Sequence, residues 1–440
     1  MTPEAIIYSM LLSLIVLIIL GYPVAFVLGG IAAIFGLLFI GPQVVNIFML
    51  RIFGITSDYL LIAIPLFVFM GVAIEKSGLA SRLYDAIYVL TGRLRGGLAL
   101  AAVITCTIFA AATGVVGAAV VSMGLLALPS MLRYKYNKSL ATGSICAGGT
   151  LGILIPPSVL ILVYAPLAGI SAGELLMAAF IPGFVLSILY ILYIAIRCYF
   201  QPELGPAMPA EALAQFSWQK KLNMFLTSVV PVSVLILAVL GSIFFGLAAP
   251  TEAAGIGAFA SLLLAAAYGQ LNFKNLKEIA ERSVVISCMV YLVMIGASFF
   301  TTVFIHLGGG TMITNLVLGL PFPDWGIVLS MFLIVFVMGA FIDWIGILMI
   351  VVPLFSPIAV ALGLNPIWFA MMVIVIMQTS FLTPPFAYSI FYLKGIAPPE
   401  VQTADIYRGV VPFIILQFIG IGLLAIFPQL ILWLPSLMGR

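Results

Sequence analysis

The stretch GGTLGILIPPS, residues 148–158, places two adjacent prolines inside an otherwise apolar segment. Proline lacks the backbone N–H and its ring clashes with the preceding turn, so a helix cannot pass unbroken through such a pair. The stretch SFLTPPF, residues 380–386, repeats this arrangement in a second apolar segment. We therefore expect two helices, 139–167 and 365–394, each broken in the middle, with carbonyl groups released from helical hydrogen bonding just before each break.

The composition places these helices in a membrane. Of the 440 residues, 64% are hydrophobic and only 7% are charged, whereas a soluble domain is roughly one quarter charged. A helix that crosses the hydrocarbon core needs about 20 apolar residues. Ordinary spans are predicted at 4–20, 22–41, 57–75, 175–197, 224–246, 251–268, 283–306 and 411–436. The first has an acidic flank, which indicates a retained membrane helix rather than a signal peptide.

A long apolar stretch precedes each broken helix. Residues 97–132 and 325–361 are both too long for one span, and their centres read ATGVVG (112–117) and FIDWIG (341–346). Non-helical backbone at membrane depth is tolerated only where protein or a water-filled cavity surrounds it. Each stretch is therefore predicted to form a re-entrant hairpin of two short helices whose tip lies inside the membrane.

The order of hairpin and then broken helix occurs twice, and charge placement indicates how the two copies are oriented. We suppose that the first hairpin enters and leaves on the cytoplasmic side and the second on the outer side. All 17 Lys and Arg except Arg51 and Arg440 then lie on the cytoplasmic side, as the positive-inside tendency requires. The predicted fold class is an all-α integral membrane protein built from inverted repeats, each with a re-entrant helical hairpin and a proline-broken helix.

Asp343 is the candidate for chemistry in the second hairpin. A charge at membrane depth is costly unless it is paired, so it is a functional-site hypothesis by default. The functional interpretation is a sodium ligand or a residue that supports one. The structural alternative is a carboxylate that caps the second half-helix and contacts no solute. Acidic residues elsewhere are too scattered for a proton relay, which favours sodium over protons as the coupling ion.

Hydroxyl groups and closely approachable backbone gather at the hairpin tips and the breaks. Half-helix N-termini suit a carboxylate, while released carbonyls suit sodium; for any single Ser, Thr or Gly, helix packing is the alternative. The predicted sodium ligands are Thr113, Gly114, Gly117, Gly149, Gly152, Asp343, Gly346, Gln378, Thr379 and Thr383. The predicted substrate contacts are Thr113, Thr150, Pro156, Pro157, Ser158 and Pro384.

The motifs that are missing exclude several classes of function. No G-x-x-x-x-G-K-[ST] motif occurs, and no soluble stretch could form a nucleotide-binding domain, so the chain does not hydrolyse ATP itself. No metal-ligand motif or nucleophile–base set occurs either. We therefore expect no enzyme activity, no cofactor besides sodium as the coupling ion, and no nucleic-acid partner. A channel is an alternative, but inverted halves with closed tips suit alternating access better than a continuous pore.

The same motifs resemble those of a known family. The break at 148–158, Ile64-Pro65-Leu66-Phe67, Thr251-Glu252-Ala253 and Thr383-Pro384-Pro385 are similar to signatures of the large membrane subunit (DctM type) of tripartite ATP-independent periplasmic (TRAP) transporters. The resemblance covers essentially the whole chain. One departure concerns the first tip, which is serine-rich in many members but reads ATGVVG here. This departure favours backbone carbonyls over hydroxyl groups as ligands at that tip.

The resemblance implies a permease in the cytoplasmic (inner) membrane of a bacterium or archaeon. It would import a small organic acid, a carboxylate, with sodium by an elevator mechanism. The expected partners are a periplasmic solute-binding protein, a separate small membrane subunit (DctQ type) and the lipid bilayer. A stand-alone sodium/carboxylate symporter or ion antiporter of similar fold is the alternative, and it would need no binding protein.

The elevator mechanism also implies a division of the chain into a moving transport domain and a fixed scaffold. The transport domain would comprise repeat 1 (97–174) and repeat 2 (325–400). The remaining parts would be N-terminal scaffold helices with a first arm helix (1–96), further scaffold helices with a second arm (175–324), and a C-terminal helix (401–440).

Overall fold

The computed structural model describes residues 2–114, 116–209, 211, 216–319, 321–385 and 387–438. Helices account for most of them, joined mainly by short turns. In chain order they are α1 (Pro3–Ile19), α2 (Val24–Phe39), α3 (Val44–Thr56), α4 (Ala63–Lys76), α5 (Leu79–Thr91), α6 (Gly97–Thr113), α7 (Val116–Arg133), α8 (Lys138–Thr150), α9 (Val159–Ala168), α10 (Ala172–Phe200), α11 (Trp218–Phe244), α12 (Pro250–Ala267), α13 (Phe273–His306), α14 (Gly309–Leu318), α15 (Asp324–Gly339), α16 (Trp344–Ala361), α17 (Pro366–Ser380), α18 (Tyr388–Ile396), α19 (Thr403–Ile426) and α20 (Gln429–Leu432).

Each predicted membrane span contains a helix, and the helix ends differ from the predicted ends by up to about ten residues. Within the described ranges, seven helices are long and apolar enough to cross a membrane, and the pair α3 and α4, bent by 60°, would make an eighth span. Five of the seven are predicted spans, whereas α7 and α16 are arms of the predicted hairpins and, at 18 residues each, are longer than the short helices that we expected there. The predicted spans α1 and α2 are shorter, with 17 and 16 residues. The last span was predicted at 411–436, but α19 ends at Ile426 because Pro428 cannot continue it. Arg440, which we assigned to the outer side, lies outside the described residues.

The first hairpin is formed by α6 and α7, and both of its ends lie on one face of the protein. The backbone N–H of Leu98, at the start of α6, donates to the hydroxyl of Tyr136, just after α7, at 3.2 Å. Next to this contact, the N–H of Asn137 donates to the carbonyl of Leu204 at 2.9 Å. The prediction of a hairpin over 97–132 is therefore confirmed.

The second hairpin is formed by α15 and α16. Two contacts show that α15 runs parallel to α17. The rings of Phe332 and Phe369 stack with centroids 5.7 Å apart, and towards the C-terminal ends of both helices Gly339 lies against Ser380. Helix α16 turns into α17 through residues 362–365, so it runs antiparallel to both. This arrangement confirms the hairpin predicted over 325–361.

Two contacts at opposite faces show that the repeats are inverted. On the face where the first hairpin opens, the Lys138 ammonium donates to the carbonyl of Glu400 at 2.6 Å, next to the end of the second broken helix. On the other face, Ala168 at the end of the first broken helix lines a cavity with Val360 and Pro366, where the second hairpin opens. Each hairpin therefore opens on the face where the other repeat's broken helix ends, as predicted.

Basic residues gather on the face where the first hairpin opens. The Arg95 guanidinium donates to the carbonyl of Tyr199 at 3.4 Å, so residues 93–95 lie beside the end of α10. Ion pairs of Lys76 with Glu278 and of Arg282 with Glu75 (3.1 Å) join α4 to the start of α13 at the same end. By the positive-inside tendency this face is cytoplasmic.

The membrane-embedded surface is apolar. Phe26, Leu38, Leu237 and Phe259 each expose more than half of their side-chain surface, as lipid-facing residues do. Helix α10, which apart from its first three residues lies in the range 175–324, packs against α6 of the first repeat, and α19, in the range 401–440, packs against α8. The division into transport domain and scaffold stays a prediction.

Candidate substrate and ion site

The first hairpin tip depends on a glycine. Helix α6 ends at Thr113, and Gly114 takes the left-handed conformation with φ of 62°. A Cβ atom at Gly114 would lie 2.7 Å from the carbonyl oxygen of Pro157. Only glycine therefore allows both the turn and the close approach of this tip to the first proline break. The hydroxyl of Thr113 donates back to the carbonyl of Phe109 at 3.0 Å.

The second hairpin tip carries a charge where the first carries a glycine. Asp343 is the N-cap of α16, and its carboxylate accepts a hydrogen bond from the N–H of Ile345 at 3.3 Å. The capping role that we named as the structural alternative is thus present. Because the carboxylate is only half-buried and faces a cavity, the cap does not account for the whole environment of the charge.

A cavity of about 130 Å³ lies between the two tips. The tips contribute Gly114 and Gly117 from one side and Asp343 and Trp344 from the other. Helices α4 and α13 close the cavity with apolar side chains. Its remaining lining comes from the segments around the breaks: Ile153, Val159, Leu160, Phe381, Tyr388 and Tyr392.

The two breaks use some of their released carbonyl groups locally. Both proline pairs, Pro156-Pro157 and Pro384-Pro385, have a cis peptide bond. At the first break, the hydroxyl of Ser158 donates to the carbonyl of Ile153. At the second, the N–H of Ser389 donates to the carbonyl of Phe381 at 3.1 Å. Local side chains and backbone thus satisfy these two carbonyls.

The two broken helices touch just before their breaks. The amide nitrogen of Gln378 lies 3.4 Å from the hydroxyl of Thr150, and both side chains are fully buried. The amide oxygen of Gln378 has no hydrogen-bond partner among the described residues. This contact joins the repeats behind the cavity.

The predicted site residues fall into separate groups. Gly114, Gly117 and Asp343 line the cavity, whereas Thr150 and Gln378 meet behind it. Gly149 lies against Val120 and Gly346 against Ile342, as packing glycines do. The remaining predicted site residues are not among the residues that line the cavity between the tips: Thr113, Gly152, Thr379, Thr383, Pro156, Pro157, Ser158 and Pro384. The assignment of ion and substrate ligands stays a prediction.

Sequence reasoning missed the aromatic lining of the cavity. Tyr388 and Tyr392 lie one helical turn apart at the start of α18, and Trp344 follows Asp343 directly. The spacing of the tyrosines immediately after a proline break is a signal that the sequence contains. Met289 and Val290 of α13 carried no such signal, because they are ordinary apolar residues in a long span.

A second space lies on the outer side of the protein, and we call it the outer crevice. It consists of two adjoining cavities of about 480 and 210 Å³, which share Arg51, Leu167 and Ser298 in their lining. A hydrogen bond joins two of the helices that line the crevice: the hydroxyl of Thr301 on α13 donates to the carbonyl of Met349 on α16 at 2.8 Å. Pro353 cannot donate to that carbonyl, so the hydroxyl replaces the missing helical hydrogen bond.

Inverted repeats whose broken helices and hairpin tips meet around one cavity define the class of secondary membrane transporters. The sequence matches the model of the family described as "Tripartite ATP-independent periplasmic transporter, DctM component" over residues 11–430. The chain therefore belongs to this family of TRAP transporter large permeases, and it is a multi-pass protein of the inner membrane.

Individual relatives agree with this assignment. The chain is 30% identical to the C4-dicarboxylate TRAP transporter large permease protein DctM of Pseudomonas aeruginosa, over 93% of this chain and 94% of that protein. It is 28% identical to the isethionate TRAP transporter permease protein DctMQ of Oleidesulfovibrio alaskensis, over 91% of this chain but only 62% of that protein. The solved structure of the Alcanivorax borkumensis YdaH transporter is similar in fold, with a TM-score of 0.61 at 16% identity over 95% of this chain and 99% of that one.

Proposed function

We propose that this permease imports a small organic acid together with sodium, by an elevator mechanism. The observation that supports the proposal is the shared cavity, where Asp343 and the N-terminus of α16 face the glycine tip of the opposite repeat. The carboxylate suits a cation, and the N–H groups of a half-helix suit an anion. One small site thus offers complementary groups for an ion and a carboxylate.

The cavity's position between two sets of helices supports movement of one set against the other. One side consists of hairpin tips and the segments around the breaks, which have irregular backbone. The other side consists of Val68 on α4 and Ile286, Met289 and Val290 on α13, whose side chains are apolar. An apolar wall has no directional hydrogen bonds to break, so a transport domain can slide along it at low cost.

The partners follow from the relatives. The relatives' names identify them as parts of tripartite systems, so we propose a periplasmic solute-binding protein that delivers the substrate and a separate small membrane subunit of the DctQ type. Relatives named for a C4-dicarboxylate and for isethionate support an organic anion as the substrate class. We expect the chain to have no enzymatic activity.

Transport by reconstituted protein tests the proposal. The chain is placed in liposomes with its small subunit, and labelled substrate and the cognate binding protein are added outside under an inward sodium gradient. We expect uptake that requires both the gradient and the binding protein. Uptake without the binding protein would favour the stand-alone symporter, and uptake that ignores sodium would refute the cation role of the hairpin tips and breaks.

A further inference from the structure

A further cavity, of about 170 Å³, lies on the cytoplasmic face and is separate from both the tip cavity and the outer crevice. Helices α8, α10 and α19 surround it. Two arginines, Arg197 near the end of α10 and Arg408 in the second turn of α19, line it together with Asn137, Ser139 and Tyr193. The cavity is several times larger than the roughly 30 Å³ that a water molecule occupies in the liquid, so it has room for a polyatomic ligand.

The charges around this cavity favour an anion. Arg197 and Arg408 take part in no ion pair within the described part of the chain, and no acidic side chain belongs to the cavity lining. The nearest acids in sequence are Glu203, which is exposed, and Asp405, whose carboxylate accepts a hydrogen bond from the N–H of Gln402 at 3.0 Å. Two guanidinium groups are therefore available, and each can bind a phosphate with two parallel hydrogen bonds.

The neutral side chains of the lining add donors. Ser139 and Tyr193, whose side chains carry hydroxyl groups, line the cavity with the arginines. Asn137 caps α8 by accepting hydrogen bonds from the N–H groups of Ser139 and Leu140 at 3.0 and 3.2 Å, so its own amide group remains available as a donor. The cavity also lies at the N-terminal end of α8, where the partial charge of the helix is positive.

We propose that this cavity binds the phosphate of an anionic lipid headgroup. The location identifies the ligand source, because the cavity lies at the cytoplasmic ends of three membrane helices, beside lipid-exposed side chains such as Tyr199 and Phe200. Basic pockets between membrane helices on this side are suited to anionic headgroups. A bound headgroup would bridge α10 and α19 to the start of the first broken helix.

Native mass spectrometry of the full chain in a non-ionic detergent tests the proposal, with phosphatidylglycerol as the probe and phosphatidylcholine as the zwitterionic comparison. We expect retention of phosphatidylglycerol over phosphatidylcholine, and at least a tenfold loss of that retention in R197Q/R408Q. The matched control is R93Q/R133Q, which removes two exposed charges from the same face without touching the cavity. This control should bind phosphatidylglycerol like the unmodified chain.

Two further measurements, one with a lysine variant and one with inorganic phosphate, test for misfolding and for free phosphate as the ligand. R197K/R408K retains the charge but not the paired hydrogen bonds, so it should bind more phosphatidylglycerol than R197Q/R408Q and less than the unmodified chain. This graded result would show that the glutamine variant does not lose binding through misfolding. Inorganic phosphate that displaces the lipid and binds only when the arginines are present would make free phosphate the ligand of the same site. Equal binding of phosphatidylglycerol by the unmodified chain and R197Q/R408Q, or equal binding of the two lipids, would overturn the proposal.

Discussion

The two hairpin tips have the same backbone plan and different chemistry. The first tip closes with the left-handed Gly114 against the carbonyl of Pro157, and the second begins α16 with the carboxylate of Asp343. The breaks differ as well, because Pro156 and Pro157 are buried whereas Pro384 and Pro385 are exposed. The inverted repeat thus preserves the path of the chain while one half supplies close packing and the other supplies charge. We therefore expect a substitution at the first tip to disturb packing and a substitution at the second tip to act through the loss of charge.

The largest effect is expected from Asp343→Asn. Asparagine is as good an N-cap as aspartate, so the hairpin should keep its fold while the charge is lost. When a bound cation and its carboxylate are shielded from water, removing the carboxylate charge costs about 3 kcal/mol or more, equivalent to roughly 100-fold. We expect sodium-driven uptake to fall by about that factor. The control is Asp324→Asn, the same change at the start of the same hairpin, which should leave uptake unchanged. Unchanged uptake in Asp343→Asn as well would show that Asp343 only caps the helix.

Gly114→Ala tests the opposite tip. The left-handed conformation costs a non-glycine residue about 1–2 kcal/mol, and the added Cβ would also contact the Pro157 carbonyl. We expect a lower melting temperature and at least a tenfold loss of uptake. Gly169→Ala is the matched control, because Gly169 has φ of 65° but nothing within 4 Å of its Cβ position. If the two variants behave alike, the contact between tip and break has no role beyond the turn itself.

Gly71→Ala tests the contact between the first tip and α4. A Cβ atom at Gly71 would lie 2.6 Å from the carbonyl oxygen of Thr113, so the methyl group should push α4 away from the tip. The expected result is a severalfold slower uptake with little change in melting temperature, because alanine favours the helix itself. Gly255→Ala in α12, where no atom lies within 4 Å of the Cβ position, should leave uptake unchanged.

Thr301→Val is expected to have the smallest effect. It removes the hydrogen bond to the Met349 carbonyl, which Pro353 cannot replace. Such a bond contributes about 1 kcal/mol or less in membrane proteins, so the midpoint of unfolding should drop slightly. Thr302→Val is the control, because the hydroxyl of Thr302 donates within its own helix to Ser298 at 2.7 Å. An equal drop in both variants would mean that the bond between α13 and α16 adds no stability.

Most of the fold could be predicted from the sequence, because the determining signals are local. The proline pairs specify the breaks, the excess length of 97–132 and 325–361 specifies the hairpins, and lysines and arginines specify which face each hairpin opens on. These effects act within a few residues of their cause. The end of the last span was less predictable, since its apolar character continues past Pro428 while the helix does not.

The candidate site could be predicted only in part, because it depends on contacts between distant segments. Gly114 and Asp343 were visible as a glycine and a charge at hairpin centres, and both line the cavity. Thr150 and Gln378 were predicted to be ligands from their places beside the breaks; they contact each other outside the cavity lining, and their role as ligands stays a prediction. The apolar wall of α13 was invisible, since nothing in the sequence distinguishes Met289 from the lipid-facing residues of the same helix.

Helix α13 lines both the tip cavity and the outer crevice, and this has an electrical consequence. Val290 belongs to the first and Met294 to the second, so one helical turn of about 6 Å separates them along α13. The hydrocarbon core of a bilayer is about 30 Å thick, and with water on both sides of that turn the membrane potential would fall over a much shorter distance. An ion that passes this turn would cross most of the potential, about 2.3 kcal/mol per charge at 100 mV. Transport that carries a net charge past this turn should therefore depend on the membrane potential.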